Sequence, residues 1–261
     1  MSVAIRAERI EIVAGVRRMI EEPVAMEAPV NIFINDEYLI TLLSTPRLQR
    51  ELALGWLFDE GVLQSWKQIE KVILKEDTVV VRTKKPVQRK KLGVVGVTRI
   101  LTTACGLSID KFLKVIEQNG KKTVKPDYKI RASHIMRMVQ QLDDQAKLFK
   151  LTGGTHASAL FEKDKLVAFA EDIGRHNAVD KAIGGAIQSN VDFSKCVLVS
   201  SGRQPADMVL KAARMEIPII ASKASPIRSG IIAAEKTGVT LVCFVREKRM
   251  NVYTYPDRII L

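Results

Sequence analysis

Three short apolar runs, spaced by helix-length segments, restrict most of what the second half of this chain can become. Residues 196–199 are continuously apolar, as a strand buried on both faces requires, and the largely apolar 218–221 and 240–245 read as two further strands. Between them, Pro205 opens one helix at a position where its missing N–H costs nothing, and residues 227–236 supply the next. Strand–helix–strand–helix–strand implies a mostly parallel sheet covered on both faces. Upstream, residues 131–142 place Ile135, Met138, Val139 and Leu142 on one helical face. Two strands joined at Lys163-Asp164 follow, then a helix over 177–187, and residues 250–253 supply a last strand.

The first half reads differently. Residues 30–34 alternate as a strand, Asn35-Asp36 marks a turn, and 38–43 return. Residues 47–59 form a helix burying Leu48, Leu52, Trp56 and Leu57, and Gly61 stops it. Residues 69–74 and 78–82 are two more strands around Glu76-Asp77. Residues 1–21 are amphipathic without a clear core pattern. The fold class is therefore α/β: a smaller α+β domain over 1–127 and an α/β domain over 128–261.

Cys105 sits among small residues, Thr102-Thr103-Ala104-Cys105-Gly106, just before a helix expected to run to about Gln118. A thiol there sees unpaired N–H groups and the positive end of a helix dipole, which lowers its pKa toward a reactive thiolate. Cys105 reads as a nucleophile or sulfur carrier; an ordinary loop cysteine is the alternative. Cys196 and Cys243 lie inside apolar runs and read as inert core residues. An odd count of three spaced cysteines fits a reducing cytoplasm.

Three loops follow or precede strands and carry small polar residues: Gly153-Gly154-Thr155-His156, Ser201-Gly202-Arg203, and Ser222-Lys223-Ala224-Ser225. In an α/β sheet such loops gather at the carboxyl ends of strands, where N–H groups and helix N-termini favour anions. Arg203 and Lys223 would add phosphate contacts. A fourth stretch, Glu171-Asp172-Ile173-Gly174-Arg175-His176-Asn177, is too polar for capping alone. In it Asp172 is expected to hold His176 or Arg175, and His176 to act as a base or donor. No CxxC, HxH or HExxH spacing exists, so a tightly bound metal is not expected.

The formal net charge of +12 asks for an acidic partner: nucleic acid, a phosphorylated ligand or an acidic protein. With only 5% aromatic residues, nucleic acid is the least favoured. The basic run 84–91 reads as a solvated hairpin or linker. No apolar run reaches the ~20 residues of a membrane span, and the N-terminus lacks a secretory h-region.

The segments EPVAMEAPV, LALGWLFDEGVL, TTACG, TGGTHASAL, EDIGRHNAVDKAIG, SSGR and FVREKRMNVYT, in order from about Glu22 to Tyr255, resemble the FdhD/NarQ family of formate dehydrogenase accessory sulfurtransferases. The resemblance implies a three-layer, cytidine-deaminase-like second domain lacking the deaminase zinc motif, since Ala157-Ser158 follow His156. It implies a cytoplasmic homodimer that takes persulfide sulfur from a cysteine desulfurase onto Cys105. The sulfur passes to the molybdenum or tungsten bis(molybdopterin guanine dinucleotide) cofactor, a bound substrate destined for formate dehydrogenase. Its implied binding residues are Gly153, Gly154, Thr155, His156, Asp172, Gly174, Arg175, His176, Asn177, Ser201, Gly202 and Arg203. Two departures stand out. Ser108 replaces a second loop cysteine common in the family, which admits a non-catalytic cofactor chaperone as the alternative. Ser225-Pro226-Ile227-Arg228 stands where a Pro-Thr sequence is more usual.

Overall fold

The computed structural model describes residues 1–87, 124, 127–189 and 191–261. Cys105, the helix expected after it and the basic run from residue 88 onward lie outside the described residues.

Residues expected to lack core order begin the chain as a long antiparallel hairpin, β1 (Ser2–Glu11) with β2 (Val16–Ala25). Its strands mix charged and apolar residues without a period-2 alternation. Cross-strand pairs therefore hold it, Arg9 to Glu22 at 3.0 Å, Arg17 to Glu8 at 3.4 Å, and Arg18 to Glu11. Neither face meets the core, so the pattern shows no apolar side to read. Val3, Ile5, Ile10 and Met19 are exposed.

The next strands follow the sequence pattern. β3 (Ala28–Ile34) and β4 (Glu37–Ser44) pair antiparallel around Asn35, and β5 (Ile69–Lys75) and β6 (Thr78–Thr83) around Glu76. The two hairpins join through parallel β3–β6 into a four-stranded sheet. Both turn residues, Asn35 and Glu76, adopt positive φ. Helix α1 (Gln49–Asp59) then covers this sheet, and every residue from Leu52 to Asp59 is buried.

The second half forms a six-stranded sheet of order β13-β12-β11-β10-β8-β9. Its strands are β8 (His156–Glu162), β9 (Lys165–Asp172), β10 (Cys196–Ser200), β11 (Ile219–Ser222), β12 (Thr240–Arg246) and β13 (Arg249–Val252). Only β10, β11 and β12 pair in parallel. The sheet is mixed rather than mostly parallel. Two-residue turns at Lys163-Asp164 and Glu247-Lys248 are too short for a crossover, so β8–β9 and β12–β13 are antiparallel. A short parallel pair, β7 (Ile130–Arg131) with β14 (Ile259–Ile260), lies outside this sheet.

Side-chain alternation splits this sheet between two apolar cores. Ala157, Ala159, Phe161, Val197, Val199, Ile219 and Ala221 face α2 (Ala132–Gln145). Leu160, Leu198, Ile220 and Leu241 join the other cluster with α4 (Arg175–Ile187), α5 (Ala206–Arg214) and α6 (Arg228–Thr237). That second cluster also contains Val30, Ile32, Leu52 and Leu57, so one core spans both expected segments. A short helix not foreseen, α3 (Lys147–Thr152), links α2 to β8.

α1 and α4 cross with their backbones almost touching. A Cβ on Gly55 would overlap the carbonyl of Asp180, and one on Gly184 the carbonyl of Glu51. Only glycine permits this approach. The crossing fixes the first half of the chain against the helix that follows Asp172.

Candidate anion-binding site at the carboxyl end of the sheet

β9, β10 and β11 run in one direction and end at Asp172, Ser200 and Ser222. Each leads into a helix whose N-terminus opens at the same end: α4 after Gly174, α5 after Pro205 and α6 after Ile227. Antiparallel β8 starts there, with His156 paired to Asp172 in register. The topology thus gathers His156, the 172–177 loop and the 201–203 loop where open α/β sheets bind ligands.

Serines at the strand ends lock these loops. Ser158, Ser200 and Ser222 lie side by side on β8, β10 and β11. Ser200 Oγ accepts from the Gly202 amide at 3.1 Å, and Ser222 Oγ donates to the Gly202 carbonyl at 2.7 Å. Gln204 Nε2 donates to that same carbonyl at 2.8 Å.

Four basic side chains converge on this framework. His156 Nδ1 lies 3.4 Å from Ser201 Oγ, which accepts from the Ala157 amide at 2.9 Å. Burial lowers the His156 pKa, and the positive fields of Arg175, His176 and Arg203 push it further the same way. His156 is therefore held neutral, close to three cationic or potentially cationic groups. His176 Nε2 sits 2.8 Å from Asp207 Oδ2. The Arg175 stem packs on Gly202, where an added Cβ would lie 3.0 Å from Arg175 Cβ. Arg175 Nε is buried without a hydrogen-bond partner, and so is Gln204 Oε1. Among the described residues neither Arg175 nor Arg203 has a carboxylate partner. Cations without counter-charges, one carrying an unmet buried donor, can bind an anion such as a phosphate.

Several expected ligand residues do other work. Asp172 does not hold His176 or Arg175; its side chain is wholly buried. Its Oδ2 accepts from Lys181 Nζ at 2.5 Å, Thr45 Oγ1 at 3.0 Å and the Thr45 amide at 3.1 Å. Its Oδ1 accepts from the Gly174 amide at 2.9 Å and Asn177 Nδ2 at 3.0 Å. Asn177 Nδ2 also reaches the Leu43 carbonyl at 2.8 Å. Asp172 and Asn177 thus tie the 172–177 loop to the end of β4 rather than facing a ligand. Gly153 is the left-handed C-cap of α3, its amide bonded to Phe149 O at 2.7 Å, and the Gly154 amide bonds Thr152 Oγ1 at 3.2 Å. Neither amide is free to cradle an anion. Thr155 Oγ1 contacts Glu171, whose carboxylate also caps the start of α3 through the Leu148 and Phe149 amides. Lys223 is held by both oxygens of Asp143 at 2.7 Å.

Charges that sequence reading passed over prove structural. Lys211 bridges Asp59 at 2.5 Å and Asp180 at 2.8 Å, and Arg214 completes the set through Asp59 at 3.2 Å. The two carboxylates raise the Lys211 pKa although burial opposes them, while burial raises that of Asp180 against the pull of Lys211. Burial likewise lowers Lys181 against the pull of Asp172. The available signal was a charge set inside an apolar stretch: Asp180-Lys181 after Val179, Lys211 after Val209-Leu210, Asp59 after Leu57-Phe58. Cys196 and Cys243 are fully buried, and burial pushes both thiols up to about 12, consistent with inert core residues.

The sequence profile of the FdhD/NarQ family matches residues 25–260. A sulfur carrier protein FdhD from Sulfolobus acidocaldarius is 36% identical over 252 residues, covering 95% of each chain. One from Shouchella clausii is 34% identical over 251 residues, 95% of this chain and 94% of that one. A crystal structure described as that of a candidate formate dehydrogenase accessory protein, from Desulfotalea psychrophila, superposes with a TM-score of 0.78. It is 26% identical and covers 99% of both chains. With the fold matched end to end and the profile covering nearly every residue, the chain belongs to the FdhD/NarQ family.

Proposed function

We propose that this chain is a sulfur carrier for formate dehydrogenase, working through a persulfide on Cys105. The Cys105 thiolate attacks the terminal sulfur of a cysteine desulfurase persulfide. The donor S–S bond breaks, the donor cysteine leaves as thiolate, and Cys105 becomes Cys–S–SH. The terminal sulfur then passes to the bis(molybdopterin guanine dinucleotide) substrate. The Cys105 S–S bond breaks, its thiolate returns, and the reduced molybdenum or tungsten centre supplies the two electrons that make sulfide.

The observation that carries the reading is the cluster of basic side chains at the carboxyl end of the sheet, in which Arg175 and Arg203 have no carboxylate partner among the described residues. The Arg175 Nε without a partner, Arg203, and His156 and His176 suit the diphosphates of a guanine dinucleotide. Gly202 leaves the room that Arg175 occupies. Family membership and the relatives' description as sulfur carriers support the transfer. We further read the six-stranded unit as deaminase-like, on its mixed sheet with helices on both faces, and the active form as a cytoplasmic homodimer. The apolar side chains left exposed on the β1–β2 hairpin favour such an assembly.

The test is intact-protein mass spectrometry after incubation with a cysteine desulfurase and cysteine, without reductant. Wild type should gain one sulfur atom and Cys105→Ser none. No gain by wild type with an active desulfurase would replace this reading with the chaperone that Ser108 admits. Guanosine diphosphate should bind wild type and lose affinity in Arg175→Ala.

A further inference from the structure

The two tryptophans are treated oppositely. Trp56 lies in the core, whereas Trp66 is 43% exposed. Trp66 is not loosely placed. It starts a single 3-10 turn, Trp66–Gln68, fixed by a capping box. Ser65 Oγ accepts from the Lys67 amide at 3.3 Å, and Gln68 Oε1 accepts from the amides of Gln64 and Ser65 at 2.7 and 2.9 Å. A large aromatic surface is thus held in water on a rigid turn.

Trp66 walls a cavity of about 240 Å³ whose other apolar lining includes buried Leu54 and Ile69. Arg50, Lys71 and Gln188 supply its polar edge. Lys67 and Lys84 lie beside it on the chain, the Lys84 amide bonding the Gln68 carbonyl at 2.9 Å. Arg50, Lys67, Lys71 and Lys84 are all exposed. Among the described residues none of the four has an ion-pair partner, and Glu70 is the one acid lining the cavity. An exposed tryptophan over an apolar floor, beside an arginine, has the composition of an interface hot spot, and the lysines around it make the surface positive.

Its place in the fold selects the partner. Gln188 caps the C-terminal end of α4, while the anion site lies at that helix's N-terminus. Thirteen residues at ~1.5 Å each put the two about 20 Å apart. A protein seated at Trp66 leaves the anion site open.

We propose that this groove seats an acidic segment, carrying an apolar anchor residue, of the protein that donates sulfur to Cys105. The proposal rests on the persulfide-carrier reading. The anchor packs on Trp66 above Leu54 and Ile69, and the acidic flanks meet Arg50 and Lys71.

The experiment measures binding of a purified cysteine desulfurase to the full-length protein by calorimetry. It compares wild type with Trp66→Ala and with the double reversal Arg50→Glu/Lys71→Glu, each checked for folding by circular dichroism. Both variants should bind the desulfurase at least tenfold more weakly. Both should still take up sulfur on Cys105 from inorganic polysulfide and bind guanosine diphosphate as wild type does. Unchanged desulfurase affinity in both variants would overturn the docking proposal and leave the carrier reading intact. So would a loss confined to binding of formate dehydrogenase. Failure of wild type to bind the desulfurase would overturn the docking proposal, and failure of Cys105 to load from polysulfide would overturn the carrier reading with it.

Discussion

The first and second turns of α4 carry charge to opposite ends. Arg175 and His176 open the helix at the anion site, where Arg175 has no counter-ion among the described residues and keeps an unmet Nε. Asp180 and Lys181, one turn later, are buried and fully engaged, with Lys211 on one side and with Asp172 and Thr45 on the other. All four belong to one polar sequence motif. A charge taken out of water must be paired or it costs several kcal/mol, so the buried ones record folding. Arg175, half-exposed and without a carboxylate partner among the described residues, is the one left available to an anion.

The sharpest way to break this comparison is Lys181→Met. It strands the Asp172 carboxylate in the core, and stability by urea denaturation should fall by about 3–5 kcal/mol. A variant as stable as wild type would show that the second turn is not structural. Gly184→Ala comes next. Its methyl meets the Glu51 carbonyl, and prying α1 from α4 should cost about 1–3 kcal/mol in the same assay. Arg175→Ala should do the reverse, leaving the unfolding midpoint nearly unchanged while weakening guanosine diphosphate about 10- to 100-fold, the worth of one charged hydrogen bond. Equal loss of stability and affinity would erase the distinction between the turns.

The smallest effect concerns pH. Because the free protein holds the His156 pKa low, its ring is neutral near pH 7, and a bound anion raises that pKa. Binding then takes up a proton, so affinity should rise a few-fold as pH falls from 8 to 6. His156→Gln should flatten that slope. A slope untouched in His156→Gln would remove His156 from the site. The same depressed pKa works against the folded state as pH falls below 6.5, where the unfolded chain binds the proton first.

Much of this was legible in the sequence. The apolar stretches at β10, β11 and β12 announced buried strands, and the loops after β9 and β10 fell where open sheets bind ligands. Arg175, His176, Gly202, Arg203 and His156 do meet at one end of the sheet. The rest was illegible for physical reasons. Asp172 reads as a partner for His176 or Arg175 until Lys181 and Thr45 are seen to surround it, and Thr45 lies 127 residues away. The β1–β2 hairpin buries neither face, so its strands carry no apolar side that would point to a core. Asp207, which holds His176, falls in the first turn of a helix, where an acid is ordinary. The contact of Gly55 with Asp180 leaves no periodic trace, because glycine contributes nothing to a hydrophobic pattern.

That glycine crossing bears on how the molecule comes apart. Two segments joined through a side-chain seam can open in stages, one melting while the other persists. Here the carbonyls of Glu51 and Asp180 fill the space that side chains would occupy, so α1 cannot leave without stripping α4 of its cover. The amide protons of both helices should therefore exchange with solvent together, at the rate of global opening. Heating should give one calorimetric transition for the whole chain rather than one per half.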